Sequence, residues 1–221
     1  MKMHKKDMNT SYCGGGTGVL ASGVIWCLAG IVALQYSYQS SMLALFFGGM
    51  FIHPIAIFLS KALKRSGKHN AKNPLGKLAL ESTIILFVGL FIAFAVATLK
   101  PEWFYPIMLM IIGVRYLIFN TLYGTKVYWI LGALLLISGA LCIYLASDFV
   151  IGAFIGAALE IVFAVVILNQ SKKIASKNNI TRLASVNFNW QLYRLEKHGR
   201  TLPRNSVYNS GRSEPLLKRC L

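Results

Sequence analysis

The chain has 221 residues, of which 56% are hydrophobic and 14% charged, with a mean hydropathy of +0.57, which excludes an ordinary water-soluble domain. The formal net charge of +16, from 23 Lys and Arg against 7 Asp and Glu, does not point to nucleic acid. The basic residues fall between and beyond the apolar runs, where they face anionic lipid headgroups, so the bilayer is the expected partner and no nucleic acid is expected.

Residues 1–16 read as a short cytoplasmic N-terminus, with Lys2, Lys5 and Lys6 against Asp7, ending in Gly14-Gly15-Gly16. The glycine run has neither the GxxxxGK[ST] nor the GxGxxG spacing that cradles phosphate, and is read as a flexible entry to the membrane. The first apolar run, 17–36, matches the ~20 residues needed to cross a ~30 Å hydrocarbon core. It is longer than a signal-peptide core and is followed at once by a second run, 42–60, so it reads as an uncleaved span. Within that second run Pro54 removes a backbone donor, and a kink is expected just before it.

A basic loop follows, carrying Lys61, Lys64, Arg65, Lys68, Lys72 and Lys77, with no acid before Glu81. Asn73 has the chemistry of an N-cap and Pro74 that of a first helical residue. The third helix therefore begins outside the hydrocarbon, with its span at 80–99. Lys77 and Glu81 are four apart and share a face, which suggests an ion pair at the cytoplasmic end. The remaining spans are 104–122, 127–146 and 149–168, joined by turns so short that neighbours must be antiparallel and in contact. The fold class is thus all-α: a polytopic membrane protein with a bundle of six transmembrane helices in residues 17–168.

Basic residues near span ends mark the cytoplasmic side. With the N-terminus inside, three lie in the N-terminal segment, six from Lys61 to Lys77, one at Lys126 and eleven from Lys172 on, while only Lys100 lies outside and Arg115 falls in a span. Both termini are therefore expected in the cytoplasm. Residues 169–221 are polar and basic, with Pro203 and Gly211 and no sustained period; this cytoplasmic tail is expected to be mostly disordered.

His53, Glu81, Arg115 and Glu160 are the titratable side chains inside apolar runs. A charge at the hydrocarbon centre costs at least ~2.5 kcal/mol, so each should face the bundle interior or a partner. Arg115, Glu160 and His53 each lie about eleven residues, or ~16 Å, below the outer face. Two readings stay open. One is a midplane polar site at His53, Arg115 and Glu160 for an ion, proton or small anion; the other is a structural Arg115–Glu160 pair locking two spans, with His53 bonded to a carbonyl freed by Pro54.

Small residues mark close helix approach: Gly132 with Gly139, seven apart, and Gly152-x-x-x-Gly156, which reads as span packing or as a homo-oligomer contact. The cysteines at 13, 27, 142 and 220 form no CxxC pair, so neither a disulfide framework nor a metal site is expected. No cofactor motif is present. Neither HExxH nor GxSxG occurs, and no enzyme activity is expected.

The segments HPIA from His53, NPLGKLALE from Asn73, KPEWF from Lys100 and GVRYLIFNTLYG from Gly113 together resemble a family of small bacterial integral membrane proteins that carries a domain-of-unknown-function label. The resemblance spans residues 48–168. It implies a bacterial multi-pass membrane protein, expected here in the inner membrane, and supplies no activity. Two functions are carried forward: a structural or accessory membrane protein without turnover, and a small transporter or channel built on the midplane residues.

Overall fold

The computed structural model describes residues 1–197. It is all-helical: α1 Lys2–Ser11, α2 Gly16–Gln35, α3 Tyr38–Ala62, α4 Leu75–Ala97, α5 Phe104–Tyr123, α6 Val127–Tyr144 and α7 Phe149–Lys197, with 3₁₀ turns at Cys13–Gly15 and Pro101–Trp103. Six helical segments are long and apolar enough to cross a membrane: Cys13–Gln35, Tyr38–Ala62, Leu75–Ala97, Pro101–Tyr123, Val127–Tyr144 and Phe149–Ile174. The protein is a multi-pass membrane protein. The second helix continues to Ala62 and the third starts at Leu75, beyond the apolar runs expected at 42–60 and 80–99, because a helix does not end where the hydrocarbon does. α3 continues through Pro54.

The chain divides into Met1–Ile174 and a second unit beginning at Ala175. The tail expected from residue 169 begins as a continuation of α7; its remainder, 198–221, lies outside the described residues. Val186, Phe188, Trp190 and Leu192 fall within α7.

Large apolar side chains such as Leu34, Phe47, Phe58, Phe91, Ile130 and Val162 point outward, as suits a lipid-facing surface. Lipid tails are as apolar as leucine, so burying leucine does not hold the spans together, and packing of small residues does. On α2, Gly16, Gly23 and Gly30 repeat every seven residues and face Leu168, Ile161 and Phe154 of α7, which descend by sevens in the opposite direction. A Cβ at Gly23 would lie 2.8 Å from Ile161 Cγ1. The α5–α6 seam is closer still. Cβ atoms at Gly113 and Gly132 would lie 2.8 and 2.7 Å from each other's carbonyl oxygen, and one at Gly139 would lie 2.5 Å from that of Pro106.

Gly152 faces Tyr105, and Gly156 faces the Trp26 indole, both within the chain. Both glycines of the motif that sequence left open between span packing and a homo-oligomer contact thus take part in packing within the chain.

The N-terminal segment differs from the flexible entry expected. Cys13, Gly14 and Gly15 all adopt left-handed backbone, with φ of 52°, 68° and 82°, and reverse the chain so that α1 caps the end of the bundle. The Tyr128 hydroxyl donates to the Gly14 carbonyl at 2.6 Å, and Asn9 Nδ2 donates to the Tyr123 carbonyl at 3.2 Å. Met8 and Ser11 are buried beneath α1.

The basic loop completes this cap. Gly67 N–H donates to the Ser11 carbonyl, and the Tyr12 hydroxyl meets His69 Nδ1 at 2.9 Å. Asn73 is buried; its Oδ1 accepts the Leu75 N–H, and its Nδ2 reaches the His4 carbonyl and Asp7 Oδ2. Asp7 Oδ2 also accepts the Asn70 N–H at 3.0 Å. The Asn73 amide, followed by the Asn70 backbone, holds the Asp7 carboxyl below its ordinary value. A lowered value means that the carboxylate favours the docked state above the usual aspartate range, and that this contribution disappears as pH falls through the lowered value. At neutral pH, Asp7→Ala is expected to speed amide hydrogen exchange across α1 roughly threefold to tenfold, as suits about 1 kcal/mol for a half-exposed charged hydrogen bond. Exchange in α5 should be unchanged.

Candidate functional site

Glu160 is 0% exposed. It lies on α7 where that helix passes Gly23 of α2, at which a Cβ would sit 3.1 Å from Glu160 Cβ. Its Oε1 accepts a 2.6 Å hydrogen bond from the Tyr116 hydroxyl of α5. Ser22 of α2 lies beside the carboxyl. Three helices therefore meet at one carboxyl group: α7 supplies it, α5 donates to it and α2 presses a glycine and a serine against it. Oε2 has no hydrogen-bond partner.

Arg115 precedes Tyr116 on α5, and successive helical residues point about 100° apart. Tyr116 turns to α7 and Arg115 turns to α4, where Nη2 donates to Thr83 Oγ1 at 3.3 Å. The guanidinium lies over the Phe119 ring at 5.2 Å, a cation–π arrangement. Arg115 is near enough to Glu160 to feel its charge, yet the two bond to separate partners, and Arg115 Nε, like Glu160 Oε2, has no hydrogen-bond partner.

His53 is exposed on the outward face of α3, and the fold does not bring it to Arg115 and Glu160. The three share a depth, but depth along an axis does not fix direction around it. Lys77 and Glu81 of α4 are both exposed, and no ion pair joins them. At an exposed site a pair held by two long side chains gives little.

Tyr116, Ser22 and Thr83 were not expected at the site. The available signal was Tyr116, a tyrosine deep in a span, whereas tyrosine gathers at membrane interfaces. Around Tyr116 stand Phe119, Tyr123 and Tyr128, with Tyr116 stacked on Tyr128 at 5.9 Å and Tyr123 on Tyr128 at 5.6 Å.

Among the described residues no group of three or more His, Cys, Asp or Glu could hold a metal ion. Cys13, Cys27 and Cys142 are free thiols. The chemistry the arrangement offers is hydrogen bonding and charge inside the bundle.

A family model described as a family of unknown function, DUF7010, matches residues 1–170. The match starts earlier than the resemblance read from residue 48, so α1 and the glycine turn belong to the family's pattern, and it ends at the start of the tail. No curated protein and no solved structure matches the chain.

Proposed function

We propose, starting from the fact that the chain belongs to the DUF7010 family of unknown function, that it is an accessory protein of a bacterial inner membrane, non-catalytic and structural, with both termini in the cytoplasm. The observation that carries this reading is the complete enclosure of Glu160 and its bond to Tyr116. The intramembrane carboxyl serves to tie three helices. The basic loop and Lys126 face anionic headgroups, in keeping with the distribution of positive charge.

A second reading, a small transporter or channel centred on Arg115 and Glu160, draws on the two unpartnered buried atoms, Arg115 Nε and Glu160 Oε2, since polar groups left open in a membrane interior accompany ion and proton pathways. Its third member, His53, faces outward and does not contribute.

Purified protein in proteoliposomes separates the two. The accessory reading expects proton and small-ion flux equal to that of protein-free vesicles, for wild type and Glu160→Gln alike. Flux in wild type that Glu160→Gln abolishes would replace this reading with the second.

A further inference from the structure

α3 is the least buried of the six spans, and its outward face carries a group that lipid cannot satisfy. His53 is exposed there. It lies eight residues from Lys61 at the helix end, or ~12 Å along the axis, a distance its short side chain does not span. A neutral imidazole has one donor and one acceptor nitrogen, and hydrocarbon offers a partner to neither. Among the described residues none hydrogen-bonds to the ring, so the bond to a carbonyl freed by Pro54 is not made within the chain. Titratable side chains in spans almost always face the bundle interior, a cavity or a partner. On the outward face of α3, only a partner is left.

Pro54 supplies the matching half. It sits inside α3, has no N–H for the Met50 carbonyl, and crowds that oxygen with its ring. A helical carbonyl points along the axis toward the residue four places on. Met50 and Pro54 are both exposed, so the freed acceptor opens on the same side of α3 as the imidazole. The His53 Cα lies ~4.5 Å further along the helix than that of Met50, but helical side chains lean back toward the N-terminus. Donor and acceptor therefore share one depth. Gly49, one turn before His53, is exposed, and nothing lies within 4 Å of a Cβ there, which leaves the backbone beside them open to close approach.

We propose that this face of α3 pairs with the same face of a second copy of the chain. A partner has to present both an acceptor and a donor, at this depth and with this separation. A second copy inserted in the same orientation does so by identity. About a two-fold axis along the membrane normal, each His53 ring donates to the Met50 carbonyl of the other copy, and the two Gly49 positions admit the approach. The exposed rings of Phe47 and Phe58 flank the contact and extend it along the helix. This goes beyond the accessory reading and stands whether or not the protein transports anything.

Single-molecule photobleaching of singly labelled protein in liposomes, over a range of protein-to-lipid ratios, tests it. Wild type is expected to shift from one-step to two-step traces as its density rises. His53→Leu removes the donor, and Pro54→Ala returns an N–H to the Met50 carbonyl. Each should weaken pairing roughly fivefold to tenfold, the scale of two hydrogen bonds between helices in a membrane. Gly49→Leu should block the pairing and leave the bundle folded, since a side chain there meets nothing of its own chain. All three positions face outward, so each variant keeps the interior of the wild-type bundle. Wild type that stays monomeric at every density would overturn the proposal. So would dimers that any of the three substitutions leaves intact, which would place the contact on another face. The counts are independent of the flux measurement.

Discussion

Leucine at Gly113 or Gly139 is expected to prevent assembly of the bundle, with little monodisperse protein recovered in mild detergent. At both positions the obstacle is backbone: the Gly132 carbonyl 2.8 Å from a Cβ at Gly113, and the Pro106 carbonyl 2.5 Å from one at Gly139. A side chain can rotate out of the way, but a helix backbone can move only by separating α5 from α6. Gly113→Ala alone should cost about 1–3 kcal/mol, the usual range for overpacking. Gly49→Leu is the matched control. It also places leucine at a glycine in a span, but nothing lies within 4 Å of a Cβ there, and its effect should stay within about 0.5 kcal/mol. Equal losses at Gly49 and Gly113 would mean that helix propensity or insertion, and not contact, governs these positions.

Removing the Tyr116 hydroxyl should produce the other large effect. Tyr116→Phe takes away the donor to Glu160 Oε1, and a buried carboxyl losing a hydrogen bond costs about 1–3 kcal/mol, measured as a fall in unfolding free energy in mixed micelles. Glu160→Met strands the Tyr116 hydroxyl in the same way. The double variant Tyr116→Phe with Glu160→Met removes both partners, so its loss should be clearly smaller than the two single losses together, with a coupling of at least about 0.5 kcal/mol. Arg115→Met with Glu160→Met should come closer to additive, since Arg115 is bonded to Thr83 and stacked on Phe119. Stronger coupling for Arg115 than for Tyr116 would show that the ion pair, and not the tyrosine, is the partner that matters to Glu160.

The expected effects fall on residues that sequence treats unequally. Gly132 and Gly139 can be read as a packing stripe because both lie in one apolar run and the spacing of seven returns to one face. Gly113 faces them but is a lone glycine in its helix, and nothing in its neighbourhood announces the contact. The repeat of Gly16, Gly23 and Gly30 is as regular, yet the first of these hides in a run that looks like a loop. α1 is hidden for a different reason. A ten-residue polar helix is marginal by itself, and it is held by Asn70, Asn73 and Tyr123, all more than sixty residues away in sequence.

Glu160 itself is legible, as a carboxylate inside an apolar run must find a partner. The partner is not, because Arg115 and Tyr116 are adjacent and equally deep. Opposite charge favours the arginine in any reading along the chain; the 100° turn between them gives Glu160 to the tyrosine.

Sequence by itself determined that this is a six-span membrane protein, where its basic residues cluster and how deep each intramembrane titratable group lies. Those follow from composition and from a fixed rise per residue, which are properties along one axis. Tertiary structure alone decided which way each group faces: Glu160 inward to Tyr116, Arg115 sideways to Thr83 and His53 out. Direction around a helix is set by which neighbour's small residues allow the closest approach, and that depends on pairs of helices distant in the chain.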